Sequence, residues 1–166
     1  MIRTENVTRQ SPDFEKVREL YLRAFPADER IPLRYLLRND PKKDNFISFY
    51  DGAVFCGFAS LLSYRDITHL LYFAIDDALR GRGYGTEALR IIREMKPQQR
   101  IFADIETEDA ASDNNDQRRR RKQFYLRNGY TESGVRYEWL NVSYEILISG
   151  GTLTEDDFED FWHHII

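Results

Sequence analysis

Hydrophobic residues along the chain repeat with two periods, one typical of helices and one typical of strands. Near the amino terminus, Ser11 and Pro12 suit the N-cap and first residue of a helix that stops at Pro26. A second, short helix is predicted from about Pro32. The apolar face of the first helix is formed by Val17, Leu20, Tyr21, Ala24 and Phe25.

Strands are predicted where short apolar runs or alternating apolar residues are bounded by turn residues. Asp51 and Gly52 form a strong hairpin signal between two of them. In another strand, Asp104 and Glu106 alternate with apolar residues, so one of its faces is acidic. The predicted strands cover residues 2–7, 46–50, 53–63, 70–75, 101–107, 135–140 and 142–148.

The carboxyl-terminal tail is predicted to form a further helix. Gly150 and Gly151 interrupt the strand pattern, and Thr154 with Asp157 resembles a capped helix start. The apolar stripe along this helix is expected to pack on its own domain. A homodimer contact or a lid is the alternative, because an exposed strip of this kind would be unusually apolar for a monomer. The stripe consists of Phe158, Phe161, Trp162 and Ile165.

Length and composition indicate one compact domain. The chain has 166 residues, of which 42% are hydrophobic and 14% aromatic, enough for one core but too few for two ordinary domains. We assign residues 1–149 to that domain and residues 150–166 to a helical extension. The single cysteine, Cys56, suits a reducing compartment. No segment approaches the roughly 20 apolar residues of a membrane span, so a cytoplasmic protein without a membrane partner is expected.

Charge and histidine placement argue against two classes of ligand. The net charge of −4 argues against nucleic-acid binding, and no stacking aromatics alternate with the basic run at 118–122. That run is interpreted as a solvated helix face. His163 and His164 are adjacent and diverge on a helix, and His69 has no visible ligand partner in the sequence. We therefore expect no metal.

The most specific chemistry lies between the strand at 70–75 and the helix that follows it. Residues 80–85 read RGRGYG, and a helical stripe begins at Tyr84. Glycines at a helix N-terminus let an anion approach the unpaired N–H groups and the positive end of the helix dipole. This segment therefore predicts a site for a phosphorylated cofactor.

Two phosphate-binding patterns fit the segment. Residues 83–88, GYGTEA, formally match the dinucleotide pattern G-x-G-x-x-G/A, and Glu106 follows at about the spacing of the ribose-binding acid. In the dinucleotide fold, however, the first glycine directly follows its strand, whereas residues 76–82 intervene here. A dinucleotide-binding oxidoreductase domain is therefore the weaker alternative.

The better match is to a family with two motifs in this order. Residues 80–85 resemble the cofactor signature of the GNAT family of N-acetyltransferases: Gln or Arg, two residues, Gly, one residue, then Gly or Ala. Residues 123–130, QFYLRNGY, resemble the family's helix-to-strand segment of the type F-Y-x-x-x-G-F, with Gly129 at the helix end. The resemblance implies the acyl-CoA N-acyltransferase fold of class α/β (α+β). Its central mixed, mostly antiparallel sheet of about seven strands is flanked by about four helices, here followed by a C-terminal helix.

The resemblance also implies residue roles. Tyr125 matches the tyrosine that protonates the leaving sulfur, and Glu106 (with its neighbour Glu108) and Glu29 are candidates for the proton acceptor. Arg118 stands seven residues before Tyr125, where many relatives have asparagine. Asn114 or Asn115 is a candidate to replace it if the helix starts later, and Asn115 is the one we include. Some arginines at 118–122 are candidates for the phosphates of coenzyme A. The residues expected to contact acetyl-CoA are Phe73, Ile75, Arg80, Gly81, Arg82, Gly83, Tyr84, Gly85, Thr86 and Asn115.

The expected activity is transfer of an acetyl group from acetyl-CoA to a primary amine of a small molecule or peptide, by direct attack in a ternary complex. The carboxylates favour a cationic amine, and the loops around residues 27–43 with the last strands are expected to select it. A non-catalytic acyl-CoA-binding or partner-binding module on the same fold is the other alternative.

Overall fold

The structure, a computed structural model, describes residues 2–38 and 44–165. Its strands are β1 (Ile2–Asn6), β2 (Asp44–Asp51), β3 (Val54–Tyr64), β4 (Ile67–Ile75), β5 (Arg100–Glu106), β6 (Thr131–Trp139) and β7 (Val142–Ser149). Its helices are α1 (Phe14–Ala24), α2 (Leu33–Leu36), α3 (Tyr84–Met95), α4 (Asn115–Arg127) and α5 (Glu155–Ile165), with a 3-10 helix at Asp77–Leu79. In the described ranges, no helix has the length and apolar character needed to cross a membrane.

The seven described strands form one mixed sheet in the order β1-β2-β3-β4-β5-β7-β6. β4 and β5 are parallel, and α3 connects them, as a parallel connection requires. The pairs β1 with β2, β2 with β3, β5 with β7, and β6 with β7 are antiparallel. The predicted mixed, mostly antiparallel sheet is confirmed.

Several element boundaries differ from the predictions, and β4, for example, begins at Ile67, three residues before its predicted start. Ser11 and Pro12 precede α1, whose N-cap is Asp13. The hydroxyl of Ser11 instead accepts the N–H of Thr8 at 2.8 Å, so it belongs to the preceding turn. β6 begins four residues before its predicted start, because a register shift that includes Gly134, with φ of +85°, interrupts the alternation.

The chain divides into two compact units, and the first contains the residues up to Ser63 together with Leu70–Met95. Its core is aromatic. Tyr21 of α1 packs edge-on against Tyr72 of β4, with ring centroids 5.0 Å apart. The buried residues of this core are Val7, Val17, Leu20, Tyr21, Leu36, Phe46, Tyr50, Phe55, Phe58 and Tyr72.

The second unit contains Tyr64–His69 and Lys96–Ile166. In α5, Phe161 is fully buried and lies edge-on to Phe102 of β5, with ring centroids 5.2 Å apart. The predicted cap is present: the N–H of Asp157 donates to the Thr154 hydroxyl at 3.1 Å, and the N–H of Thr154 donates to the Asp157 carboxylate at 3.2 Å. The stripe of α5 therefore packs within its own unit, as expected.

Arg100 fixes the start of α5 in this unit. Its guanidinium donates to the carboxylate of Asp66 at 3.1 and 3.2 Å. It also donates to the carbonyl of Thr152 and to the carboxylate of Asp157, both at 2.9 Å. One side chain at the beginning of β5 thus bonds the turn before β4 and the N-terminal cap of α5.

Candidate active site

The end of β4 is held by a defined turn. The N–H of Asp76 donates to the carbonyl of Cys56 on β3 at 2.7 Å, and the Asp76 carboxylate accepts the N–H two residues later at 3.0 Å. The chain then enters the 3-10 helix at Asp77–Leu79, where Asp77 pairs with Arg80 at 2.7 Å. The connector between strand and glycine segment is therefore ordered by its own aspartates.

β3 and β4 approach each other closely just before this turn. A Cβ at Gly57 would lie 2.2 Å from the carbonyl oxygen of Ala74 and 3.0 Å from the Cα of Ile75, so the position requires glycine. This close approach constrains the backbone of Ile75, which with Phe73 is expected to face the acyl carrier. The ring of Phe73 is partly buried and lies edge-on to Phe49.

The glycine segment links this turn to α3. Gly81 and Gly83 have φ of +79° and +82°, a region that favours glycine. α3 then begins at Tyr84, whose hydroxyl donates to the carboxylate of Asp51 at 2.6 Å. The helix N-terminus is thus anchored to the β2–β3 hairpin, and the predicted order of strand, glycine segment and helix is present.

The start of α3 fits a phosphate group. The N–H of Glu87 donates to the Gly83 carbonyl at 3.1 Å, so the three preceding N–H groups come before the first helical hydrogen bond. No heavy atom of the described residues lies within 4 Å of the Cβ position at Gly81 or Gly83. The side chains of Arg80 and Arg82 are exposed nearby in sequence. The three N–H groups belong to Tyr84, Gly85 and Thr86.

Glu29 lies in the loop between α1 and α2, in the first unit. Its N–H donates to the carbonyl of Pro26 at 3.0 Å, and its carbonyl accepts the hydroxyl of Tyr72 at 2.6 Å. The structure therefore brings the Glu29 backbone to β4. Residues 39–43 of the predicted acceptor loop lie outside the described residues.

Tyr125 lies in the last turn of α4, in the second unit. Its side chain is 7% exposed, and this burial raises the pKa of its hydroxyl, which is therefore protonated at neutral pH. The ring lies edge-on to Phe124 and Tyr130. Gly129 has φ of +88°, and the N–H of Tyr130 donates to the Tyr125 carbonyl at 3.1 Å, which confirms the predicted helix-ending glycine.

Glu106 ends β5 and pairs with Arg118 of α4. The guanidinium of Arg118 lies 2.7 Å from the carboxylate, with the Arg118 and Glu106 side chains only 13% and 19% exposed. Arg118 also donates to the carbonyl of Thr107 at 3.0 Å and to the side chain of Asn114 at 2.9 Å. The residue that departs from the family's asparagine therefore joins α4 to the end of β5.

Asn115, the candidate replacement for that asparagine, is the first residue of α4. Its side-chain oxygen accepts the N–H of Asp109 at 2.7 Å. The side-chain oxygen of Asn115 thus stabilises the loop between β5 and α4.

The basic run of α4 is divided between paired and exposed residues. Lys122 lies 2.6 Å from the carboxylate of Glu132 and 3.0 Å from that of Glu145, which is nearly buried. Arg120 and Arg121 have exposed side chains. The run is therefore partly a solvated face, as predicted, and partly a set of supports for β6 and β7.

The sequence did not indicate a buried group formed by His69, Asp104 and Tyr137. The Nε2 atom of His69 lies 3.0 Å from one oxygen of Asp104, and the Tyr137 hydroxyl donates to the other oxygen. Burial opposes ionisation of Asp104, but the interaction with His69 outweighs it and the pKa of Asp104 is lowered. His69 stacks on Phe102 with ring centroids 4.3 Å apart. The acidic alternation in β5 was the one signal for this group in the sequence.

Among residues 2–38 and 44–165, no cluster of three or more histidine, cysteine, aspartate or glutamate side chains is arranged to hold a metal ion.

Comparison with protein families decides how this chain is classified. The profile described as the acetyltransferase (GNAT) family matches residues 14–130, more than half of the chain. The chain belongs to the GNAT family. The matched region includes both motifs that carried the sequence resemblance, so that prediction is confirmed.

Solved structures of GNAT proteins share the fold. A protein assigned to this family from Bacteroides thetaiotaomicron superposes with a TM-score of 0.79 at 22% identity, covering 98% of this chain and 94% of its own. The ribosomal-protein-S18-alanine N-acetyltransferase from Escherichia coli gives 0.65 at 14%, covering 95% and 98%. An aminoglycoside 6'-N-acetyltransferase complexed with coenzyme A gives 0.68 at 12%, covering 89% and 96%. Comparison with curated proteins gives no significant match.

Proposed function

We propose that this GNAT protein transfers an acetyl group from acetyl-CoA to a primary amine of a small molecule or peptide, by direct attack in a ternary complex. The observation that carries the proposal is the glycine segment in front of α3. Its two glycines with positive φ and its leading N–H groups suit a diphosphate, in a chain of the acetyltransferase family. The aminoglycoside acetyltransferase that shares the fold is complexed with coenzyme A.

The first unit supplies the proposed cofactor contacts. The N–H groups at the start of α3 would bind the pyrophosphate, and Arg80 and Arg82 would add positive charge beside it. The backbone of Phe73 and Ile75 at the end of β4 would bind the pantetheine. In the second unit, we retain Asn115 as a candidate contact. The proposed N–H donors of the glycine segment are those of Gly81, Arg82, Gly83, Tyr84, Gly85 and Thr86.

Two groups of the chain would act on the thioester during acetyl transfer, one as a hydrogen-bond donor and one as a proton donor. When bound, acetyl-CoA supplies an acetyl group activated as a thioester. The N–H of Ile75 would polarise the acetyl carbonyl as the neutral amine attacks its carbon. The Tyr125 hydroxyl would give its proton to the sulfur as the carbon–sulfur bond breaks, and it is protonated at neutral pH because burial raises its pKa.

A carboxylate would take the proton that the amine loses, directly or through water. Glu106 is held by Arg118 at 2.7 Å in the contact between β5 and α4. Glu29 and Glu106 both remain candidates for this role. Glu106 also orients Arg118 and the start of α4.

The acceptor class follows from two neighbours in structure and from charge. The Escherichia coli enzyme acts on an alanine of ribosomal protein S18, and the other enzyme acts on an aminoglycoside, as their names state. The proposed acceptor side of this chain carries carboxylates, which favour a cationic amine. A peptide amino terminus and an aminoglycoside are therefore the first two acceptors to test.

The test combines binding with turnover. Thermal unfolding is measured with acetyl-CoA, coenzyme A, NAD⁺ and NADPH in parallel. A ligand at about 100 times its Kd adds roughly 2.7 kcal/mol to the free energy of unfolding, which raises Tm by several degrees. Thiol release is then followed with a panel of primary amines. We expect stabilisation by acetyl-CoA and thiol release that depends on the amine.

Each alternative gives a different result in this test. Stabilisation by acetyl-CoA without turnover of any amine, together with indifference to Tyr125→Phe, would indicate a non-catalytic acyl-CoA-binding module. Stabilisation by NADPH and not by acetyl-CoA would overturn the proposal in favour of a dinucleotide oxidoreductase.

A further inference from the structure

Two tyrosine hydroxyls hold the backbone of the loop between α1 and α2. The Tyr72 hydroxyl on β4 donates to the Glu29 carbonyl at 2.6 Å and accepts the N–H of Ile31 at 3.0 Å. The Tyr21 hydroxyl on α1 donates to the Ile31 carbonyl at 2.6 Å. Three hydrogen bonds therefore converge on the backbone of Glu29 and Ile31, and we call this group the tyrosine clamp (Tyr21 and Tyr72 bound to Glu29 and Ile31).

The tyrosine clamp is built in a setting that strengthens its bonds. Tyr21 is 2% exposed and Tyr72 is 4% exposed, and the ring of Phe25 packs against both. Burial, followed by the interaction with Tyr72, raises the pKa of Tyr21. Glu29 and Ile31 are partly buried, so a backbone group released from the clamp would lose a hydrogen-bond partner and be only partly solvated in its place.

The tyrosine clamp joins two parts of the first unit that the proposed reaction uses. Tyr72 stands three residues before Ile75 on β4, the strand whose end is fixed by the close approach at Gly57. Glu29 stands in the loop, where its N–H closes a turn on the Pro26 carbonyl. A shift of Glu29 relative to β4 would therefore require breaking the bonds of Tyr72.

We propose that Tyr72 is a positioning residue that sets the place of Glu29, and with it the affinity and orientation of the amine acceptor. The inference rests on the proposed function, because that function assigns Glu29 to the acceptor side. Tyr72 acts through the loop backbone, so its hydroxyl affects the amine and leaves acetyl-CoA binding unchanged.

The test uses Tyr72→Phe with Tyr50→Phe as the matched control. Tyr50 belongs to the same buried core, is 5% exposed, and donates its hydroxyl to the Asp13 carboxylate at 2.8 Å. Each substitution removes one buried hydroxyl, but Tyr72→Phe alone releases Glu29 and Ile31. We expect kcat/KM for the amine to fall about tenfold in Tyr72→Phe, with the KM for acetyl-CoA changed by less than about twofold. Tyr50→Phe should leave both unchanged.

Amide hydrogen exchange gives a readout that does not depend on activity. The N–H of Ile31 loses its acceptor in Tyr72→Phe and should exchange at least about tenfold faster, whereas Tyr50→Phe should not change it. If Tyr72→Phe fails to fold, Tyr21→Phe carries the test. That substitution releases the Ile31 carbonyl and removes the interaction of Tyr21 with Tyr72, but it leaves the bonds of Tyr72 to Glu29 and Ile31 in place, and a smaller change in the same direction is expected.

The outcomes separate this inference from the proposed function. If the wild-type protein acetylates no amine in the panel, the proposed function fails, and this inference fails with it. If the wild type is active but Tyr72→Phe matches Tyr50→Phe in kcat/KM for the amine, the inference alone is overturned. Faster exchange at Ile31 with unchanged amine kinetics would likewise show that the tyrosine clamp serves stability and not positioning.

Discussion

Arg118 and Glu106 form an ion pair of 2.7 Å at the junction of β5 and α4, with both side chains mostly buried. Arg118 also donates to the Thr107 carbonyl, so one side chain makes two contacts at the end of the strand. The basic run of α4 therefore begins with a residue committed to the fold of the second unit.

Substitution of Arg118 should reduce stability more than substitution of its exposed neighbour. Arg118→Ala leaves the Glu106 carboxylate and the Thr107 carbonyl without this partner, and we expect the free energy of unfolding to fall by about 2 kcal/mol. Arg120→Ala, at an exposed position of the same helix, should change it by less than about 0.5 kcal/mol. Urea denaturation measures both, and equal effects would contradict the structural role of Arg118.

Tyr125→Phe should lower kcat about 100-fold if the tyrosine hydroxyl protonates the leaving sulfur. The substitution keeps the ring contacts with Phe124 and Tyr130, so the Kd of acetyl-CoA should change little. Because burial raises the pKa of Tyr125, its proton is still present at pH 9, and kcat of the wild type should not decline up to that pH on account of this group. A kcat of Tyr125→Phe equal to that of the wild type would remove Tyr125 from the mechanism.

Asp104 should make the stability of the second unit sensitive to acid. Burial opposes its ionisation, but His69 and Tyr137 lower its pKa in the folded state below the unfolded value of about 4. Its stabilising contribution is therefore present above pH 4 and is lost as the pH falls through the folded pKa. We expect Asp104→Asn to lower the free energy of unfolding by about 1–3 kcal/mol at pH 7 and by less at pH 3. Denaturation at the two pH values measures this, and an equal loss at both would show that ionisation of Asp104 is not involved.

Gly83→Ala should weaken acetyl-CoA binding beyond its effect on stability. The residue has φ of +82°, and a Cβ would project into the space proposed for the pyrophosphate. We expect the Kd of acetyl-CoA to rise at least about tenfold, a change of roughly 1.4 kcal/mol. Gly52→Ala, with φ of +61° and an equally open Cβ position in the β2–β3 turn, is the control for backbone strain. If both variants lose a similar amount of Tm but only Gly83→Ala raises the Kd of acetyl-CoA, the phosphate site is supported. An unchanged Kd in Gly83→Ala would contradict it.

Local signals in the sequence predicted much of the fold. The Gly129 helix end, the Asp51-Gly52 hairpin and the cap formed by Thr154 with Asp157 are each confirmed within a few residues of the pattern that indicated them. These features are set by the backbone preferences of adjacent residues, which a single sequence displays directly.

Contacts between distant positions were not predicted. The partner of His69 is Asp104, 35 residues away, and the pairing depends on the register of β4 against β5. The hydroxyl of Tyr72 meets Glu29 across 43 residues. The prediction that Ser11 caps the first helix was wrong. A serine hydroxyl can bond a backbone N–H on either side of it in sequence, and the pattern does not show that Ser11 bonds Thr8.

The hydrogen bonds of Arg100 indicate what would happen if the residues after Gly150 were removed. A protease that cut at Gly150 would separate the Arg100 guanidinium from two of its partners, Thr152 and Asp157, and would uncover the ring of Phe102. The exposed face of the sheet would be apolar. We therefore expect the shortened protein to aggregate while its strands are still folded. The residues of α5 thus keep an apolar part of β5 covered.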